Sequence, residues 1–193
     1  MTAAVRASVP VRRVLVLAVL ALVASACPSG SAPCVEVPSA RGCVEVIPVQ
    51  ERRPAPVAEL AVLEGGSASI ADHRGSIVVL NFWASWCGPC RREQPDLNQA
   101  HAELAGDDVA FLGIDVMDDE VQARAHRDEF EIPYPSLIDR VNQYTSEFDD
   151  VAPAALPATL LLDRQGLVAV RLFGVTEADE LSVLVHHLVD EDA

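Results

Sequence analysis

The sequence predicts an α/β domain: a central mixed β-sheet flanked by helices on both faces. Three observations point there. Two largely apolar runs, Ile77 to Trp83 and Asp108 to Val116, are hydrophobic on both alternating faces, as strands inside a covered sheet must be. The stretch between them, Cys87 to Leu104, has helical spacing, with Leu97 and Leu104 on one face, which makes a β-α-β unit. Further on, Thr159 to Asp163 and Val168 to Phe173 flank Arg164-Gln165-Gly166, a hairpin signature, and an amphipathic helix closes the chain.

The elements follow in order from local chemistry. Leu60 to Leu63 and Ser67 to Ile70 read as two short strands joined at Gly65-Gly66, an N-terminal β-hairpin extension. Ala71 to Gly75 reads as a helical turn stopped by Gly75. Pro95 sits inside the Cys87 to Leu104 helix and predicts a kink there. Asp118 to Phe130 is polar with a thin apolar stripe, a surface helix. After Pro133-Tyr134-Pro135 the chain reads as irregular to about Asn142, with a short helix over Gln143 to Phe148. Thr176-Glu177-Ala178-Asp179 resembles a capping box opening the last helix, whose inner face carries Leu181, Leu184, Val185 and Leu188.

Composition narrows the function classes. The chain has 193 residues and a net charge of −15, with 29 acidic residues against 14 basic ones, all arginine. Such acidity argues against nucleic acid, whose phosphates require a basic face, and fits a solvated surface. Residues 1–26 read as a signal peptide. Arg6, Arg12 and Arg13 form a positive n-region, Val14 to Val23 an apolar stretch too short to span a bilayer, and Ala24-Ser25-Ala26 the small residues at a cleavage site. Because Cys27 follows, Val23 to Cys27 also resembles a bacterial lipobox, with Cys27 as the lipidation candidate; plain secretion is the alternative. Residues 27–55, rich in Pro, Ser, Ala and Val, read as a low-order tether, and the folded domain spans 56–193. Outside the cytoplasm thiols oxidise and stay oxidised. With Cys27 lipidated and Cys87 and Cys90 as a redox pair, Cys34 and Cys43 are left to pair, each opening a Cys-Val-Glu-Val repeat.

Trp86-Cys87-Gly88-Pro89-Cys90 carries the chemistry. It joins an apolar strand to a helix, so Cys87 meets the free N–H groups and positive end of the helix dipole, which favour the thiolate. Thiols so placed have pKa values lowered to roughly 3.5–7.5, and the thiolate is the species that attacks disulfides. Cys87 is therefore the candidate nucleophile, expected to be exposed, and Cys90, one turn further in, the buried resolving thiol. Zinc binding would need four ligands, and neither a second C-x-x-C nor an H-x-x-x-H occurs. His73, His101, His126, His186 and His187 show no ligand spacing; His101 and His126 read as solvated helical positions and His186-His187 as surface. No metal and no cofactor is called for.

The run Leu80-Asn81-Phe82-Trp83-Ala84-Ser85-Trp86-Cys87-Gly88-Pro89-Cys90-Arg91-Arg92-Glu93-Gln94-Pro95 resembles the active-site run of the TlpA/ResA-like thioredoxin-fold proteins, extracytoplasmic thiol–disulfide oxidoreductases. The likeness continues through Gly113-Ile114-Asp115, Tyr134-Pro135, Leu156-Pro157-Ala158-Thr159 and Leu162 to Gly166, covering about residues 56–190. It implies a thioredoxin-like fold with an insertion before a cis-proline loop at Leu156-Pro157, where Leu156, Pro157 and Ala158 would pair with a substrate chain. It implies a proton role for Glu93, three residues after Cys90. Asn81 stands where cytosolic thioredoxins carry a buried Asp, and Asn cannot accept a proton, so the base falls to Glu93, water or substrate. By analogy the partners are exported protein thiols or disulfides, apo-cytochrome c among them, and a membrane electron-transfer protein. Oxidative disulfide formation is the alternative direction. A peroxidase would carry Thr where Ala84 stands, and a copper-delivery protein would carry Cys-x-x-x-Cys with a distal His.

Overall fold

The structure, a computed structural model, describes residues 43–104, 108–148 and 156–191. The signal segment, Cys27 and Cys34 lie outside the described residues. Cys43 is disulfide-bonded, and Cys87 and Cys90 bond to each other, so the partner of Cys43 also lies outside them.

Six strands form one sheet: β1 (Cys43–Val46), β8 (Val168–Phe173), β7 (Ala158–Leu162), β4 (Ile77–Trp83), β5 (Val109–Val116) and β6 (Ser136–Asp139), in that spatial order. β4, β5 and β6 run parallel, while β7, β8 and β1 join by antiparallel pairing, giving the mixed sheet expected. Every residue of β4 is buried, which explains why its sequence is apolar except for Asn81 and places its C-terminal end deep in the molecule. A separate two-stranded hairpin, β2 (Leu60–Ala61) and β3 (Ser67–Ala68), turns at Gly65 and Gly66, whose φ values of 106° and 80° suit only glycine.

Alternation along β4 sorts the core into two faces. Ile77 and Val79 pack with Leu97 and Ala100 of α1 (Gly88–Glu103), with its C-cap Leu104, and with Leu181, Val185 and Leu188 of α3 (Ala178–Glu191). Val78, Leu80 and Phe82 pack with Val62 of the hairpin turn, Ile70 of the short 3₁₀ helix Ile70–His73, and Tyr144 and Phe148, which cap the two ends of the 3₁₀ helix Thr145–Glu147. The third long helix, α2 (Glu120–Phe130), is capped by Asp119, which accepts the Val121 and Gln122 N–H groups.

Two sequence expectations are corrected. The chain already belongs to the sheet at Cys43, ahead of the domain boundary expected near residue 56. Val44 is buried against the sheet because Cys43–Val46 finds a pairing partner in β8. Arg52 then fastens this segment, donating to the Ile47 carbonyl, Asp163 and Glu191. The second correction is β6, a strand within 136–142 that reads as irregular; it pairs with β5 from Gly113↔Ser136 to Val116↔Asp139.

Candidate active site

The dithiol stands where β4 hands over to α1. Cys87 is the N-cap residue of the helix, in extended backbone geometry, and its sulfur accepts the Cys90 N–H at 3.2 Å. Gly88 and Pro89 take the first helical positions, where proline's missing N–H costs nothing and its fixed φ suits the turn. Cys90, one turn on, bonds to Cys87 with S–S 2.02 Å. Cys90 is 1 % exposed, as expected. Cys87 is not the exposed thiol expected: at 4 % exposure it belongs to a buried cluster with Leu63, Trp83 and Ala84, against which Leu156 packs. Bonded to Cys90, its sulfur turns inward rather than toward solvent. Trp86 and Gly88 are the exposed residues of the motif; Trp86 is 57 % exposed, with its indole N–H donating to the Met117 carbonyl at 3.1 Å.

The loop before Cys87 is held from the segment that follows β5. Asp118 accepts both the Ser85 backbone N–H and the Ser85 hydroxyl, the latter at 2.8 Å. Behind it Asp115 is buried, and burial together with the Asp118 charge pushes its carboxyl up to about 8. Neither aspartate stood out as a site residue in the sequence; the Asp115-x-x-Asp118 spacing at the end of an apolar strand is the signal that marks them.

Glu93 is fully buried on α1. Its Oε1 accepts from Asn81 Nδ2 at 2.9 Å and its Oε2 from the Thr176 backbone N–H at 3.0 Å. Burial dominates these two bonds and raises its carboxyl to about 8, so it is a buried group able to hold or release a proton near neutrality. Asn81 also donates to Thr159 Oγ1 at 3.1 Å, which brings β4, β7, α1 and the start of α3 to one polar point. Thr176, two residues before α3, thus serves Glu93 through its backbone, while its hydroxyl faces Thr159 rather than capping the helix.

The Leu156-Pro157 peptide is cis, as the resemblance implied. Pro157 and Ala158 are buried: the Pro157 carbonyl takes the Gly174 N–H, and Ala158 pairs with Phe82 and Phe173 inside the sheet. Leu156 alone of the three keeps exposed surface, beside the dithiol cluster.

His126 is the residue most misjudged by sequence. It is 2 % exposed rather than solvated, lies on the Trp83 ring, and meets Arg91 Nη1 through Nδ1 at 3.2 Å. Burial first, and Arg91 second, lower its pKa to about 4. Arg91 also pairs with Glu129 and lies 4.9 Å from the centre of the Phe130 ring, so it ties the first turns of α1 to α2. Among the described residues no His, Cys, Asp and Glu cluster is arranged to hold a metal ion.

The AhpC/TSA family model matches residues 52–171, a span that contains the dithiol, Glu93 and the Leu156-Pro157 peptide. The thiol-disulfide oxidoreductase ResA of Geobacillus thermodenitrificans is 32% identical over 127 residues, 66% of this chain and 71% of the relative. The thioredoxin-like protein YneN of Bacillus subtilis is 34% identical over 123 residues, 62% of this chain and 69% of the relative. Among solved structures, a secreted thiol-disulfide isomerase from Corynebacterium glutamicum superposes with TM-score 0.71 at 27% identity, covering 76% of this chain and 92% of that one. A DsbF homologue from Corynebacterium diphtheriae gives TM-score 0.70 at 32% identity, covering 75% and 92%. With that match, and with two bonded thiols at the head of a helix, the chain belongs to the AhpC/TSA family, as a thioredoxin-fold thiol–disulfide oxidoreductase of the ResA-like kind.

Proposed function

We propose that the chain works outside the cytoplasm, reducing disulfides in exported proteins, apo-cytochrome c among them, with electrons from a membrane partner. The Cys87 thiolate attacks a substrate disulfide, forming a mixed disulfide and releasing one substrate thiolate. The Cys90 thiolate then attacks Cys87 Sγ, releases the second substrate thiolate and leaves Cys87–Cys90 oxidised; the membrane partner returns two electrons. The observation that carries these roles is the Cys87 sulfur at the N-cap of α1, receiving the Cys90 N–H at 3.2 Å, since that donor and the helix dipole stabilise a thiolate at Cys87. Glu93, raised to about 8, supplies and removes the proton that thiol and thiolate forms exchange. Leu156, beside the dithiol, is the contact for the substrate chain, with Pro157 and Ala158 fixing its position.

The location rests on residues 1–26 as a signal peptide and is supported by the C. glutamicum neighbour, described as secreted. A lipid on Cys27 would hold the domain at the outer face of the cytoplasmic membrane; no described helix is long and apolar enough to cross one.

Equilibrating the Cys87/Cys90 pair against glutathione or dithiothreitol decides the direction. A potential near about −270 mV supports the reductase, whereas one near about −120 mV replaces it with disulfide formation in exported proteins.

A further inference from the structure

We infer that Asn81 is a positioning residue that lets Glu93 hold and release its proton, by turning its side-chain amide as Glu93 changes protonation state. The inference rests on Glu93 taking both states, and it adds the group that accommodates them.

The polar groups around Glu93 can be accounted for atom by atom. When Glu93 is ionised, both carboxylate oxygens are acceptors and both are served: Oε1 by Asn81 Nδ2 at 2.9 Å, Oε2 by the Thr176 N–H at 3.0 Å. The other Nδ2 hydrogen goes to Thr159 Oγ1 at 3.1 Å. Asn81 Oδ1 is then left over, buried and without a partner. A proton on Oε2 would face the Thr176 N–H, a backbone donor fixed by the chain. A proton on Oε1 would face Nδ2, which also donates, but this donor can move.

Turning the Asn81 amide by half a revolution brings Oδ1 to face the Glu93 hydroxyl. Thr159 follows at no cost, because a hydroxyl accepts from Nδ2 in one arrangement and donates to Oδ1 in the other. Thr176 Oγ1, 3.5 Å from Thr159 Oγ1, stands behind that rotor. One amide atom is left over in each arrangement, so the hydrogen bonds offer each protonation state a complete partner set at Glu93, and burial sets where it titrates. The charged and titratable groups that bear on Glu93 are Asp96 from its own helix and Tyr134 from the segment before β6. The sheet and the start of α3 present neutral groups, Asn81, Thr159 and the Thr176 amide. An Asp at position 81 would lack the second face, since an ionised carboxylate only accepts.

The test is NMR on the full oxidised protein, following the Glu93 13Cδ and the Asn81 side-chain amide together through a pH titration. Below the Glu93 midpoint, contacts between the Asn81 Nδ2 protons and the Thr159 methyl should weaken, with a midpoint matching that of Glu93. Asn81→Leu, which removes donor and acceptor together, should move the Glu93 midpoint by less than about one pH unit. A fixed donor would instead raise it by about two units or more, because a charge-assisted bond is lost and a donor–donor clash relieved. Nδ2–Thr159 contacts that persist unchanged through the Glu93 transition would overturn the inference, as would that larger shift or a Glu93 carboxyl that does not titrate between about pH 5 and 10. An unchanged pH profile of exchange in Glu93→Gln would remove the kinetic role proposed for Glu93 and leave the amide response standing.

Discussion

Trp83 and His126 lie face to face, with ring centroids 4.7 Å apart and ring planes 26° from parallel. Trp83 ends the central strand four residues before Cys87, and His126 belongs to α2, so this stack presses α2 against the base of the active-site loop. His126 is neutral there, with Nδ1 facing the Arg91 guanidinium and burial opposing a charge on the ring.

Acid stability should depend on His126. Its folded pKa is about 4 against an ordinary 6.5, so between these values the unfolded chain binds a proton that the native one does not. The stability is therefore whole above about pH 6.5 and is lost as pH falls toward 4. His126→Phe keeps a ring on Trp83 and should remove about 2 kcal/mol of this pH dependence. Urea unfolding at pH 4.5 and pH 7 measures it; an acid limb as steep in the variant as in the parent counts against a buried neutral histidine.

The carboxyl of Glu93 should act in the opposite direction. It is raised from 4.5 to about 8 in the folded chain, so the native state holds a proton that the unfolded state has lost between those values. Stability falls as pH rises through this window and levels off above about 8. Glu93→Gln should therefore gain about 2–4 kcal/mol on the parent between pH 4 and pH 9. Denaturation midpoints at the two pH values decide, and a constant gap between the proteins would show Glu93 to be ionised when buried.

The two thiols should behave unequally. With glutathione disulfide, reduced Cys90→Ser should stop at a mixed disulfide on Cys87 that lasts at least about tenfold longer than any adduct of the parent. Cys87→Ser should give no comparable adduct, because the N-cap position and the Cys90 N–H that stabilise a thiolate belong to Cys87 and not to Cys90. Intact-mass spectrometry after acid quenching reads both, and a stable adduct on Cys90 in Cys87→Ser would reverse the assignment.

Gly113 should be intolerant of a side chain. A Cβ there would lie 2.5 Å from Ser136 Oγ and 2.7 Å from Trp83 Nε1, at a position paired to strands on both sides, so both side chains would have to shift. Gly113→Ala should cost about 1–3 kcal/mol and shift the Trp83 emission, both readable in one fluorescence-monitored urea titration. An unchanged midpoint would mean that Trp83 moves freely.

The parts of the fold legible in the sequence were those whose reasons are local. β4, α1 and the hairpin at Arg164-Gln165-Gly166 announce themselves through apolar runs, periodicity and turn chemistry within a dozen residues. β1 and β6 do not, since each is four residues long, lies beside prolines and becomes a strand by pairing with a distant segment. The site divides in the same way. Cys87, Cys90 and the Glu93 position were readable in one stretch of chain. The bond from Thr176 to Glu93 spans 83 residues, and the burial of His126 depends on Trp83, so neither leaves a mark in its own neighbourhood.

The pairing of β1 also sets how the domain is hung. Cys43 lies opposite Phe173, Phe173 opposite Ala158, and Ala158 opposite Phe82, so the four form one row across the sheet, one residue short of the end of β4. Three strand spacings, about 14 Å, separate the two ends of that row. The polypeptide thus enters the domain at the same rim from which the dithiol leaves it. Any attachment made through the chain before Cys43 would therefore reach the domain at its working edge, the rim that carries Cys87 and Cys90.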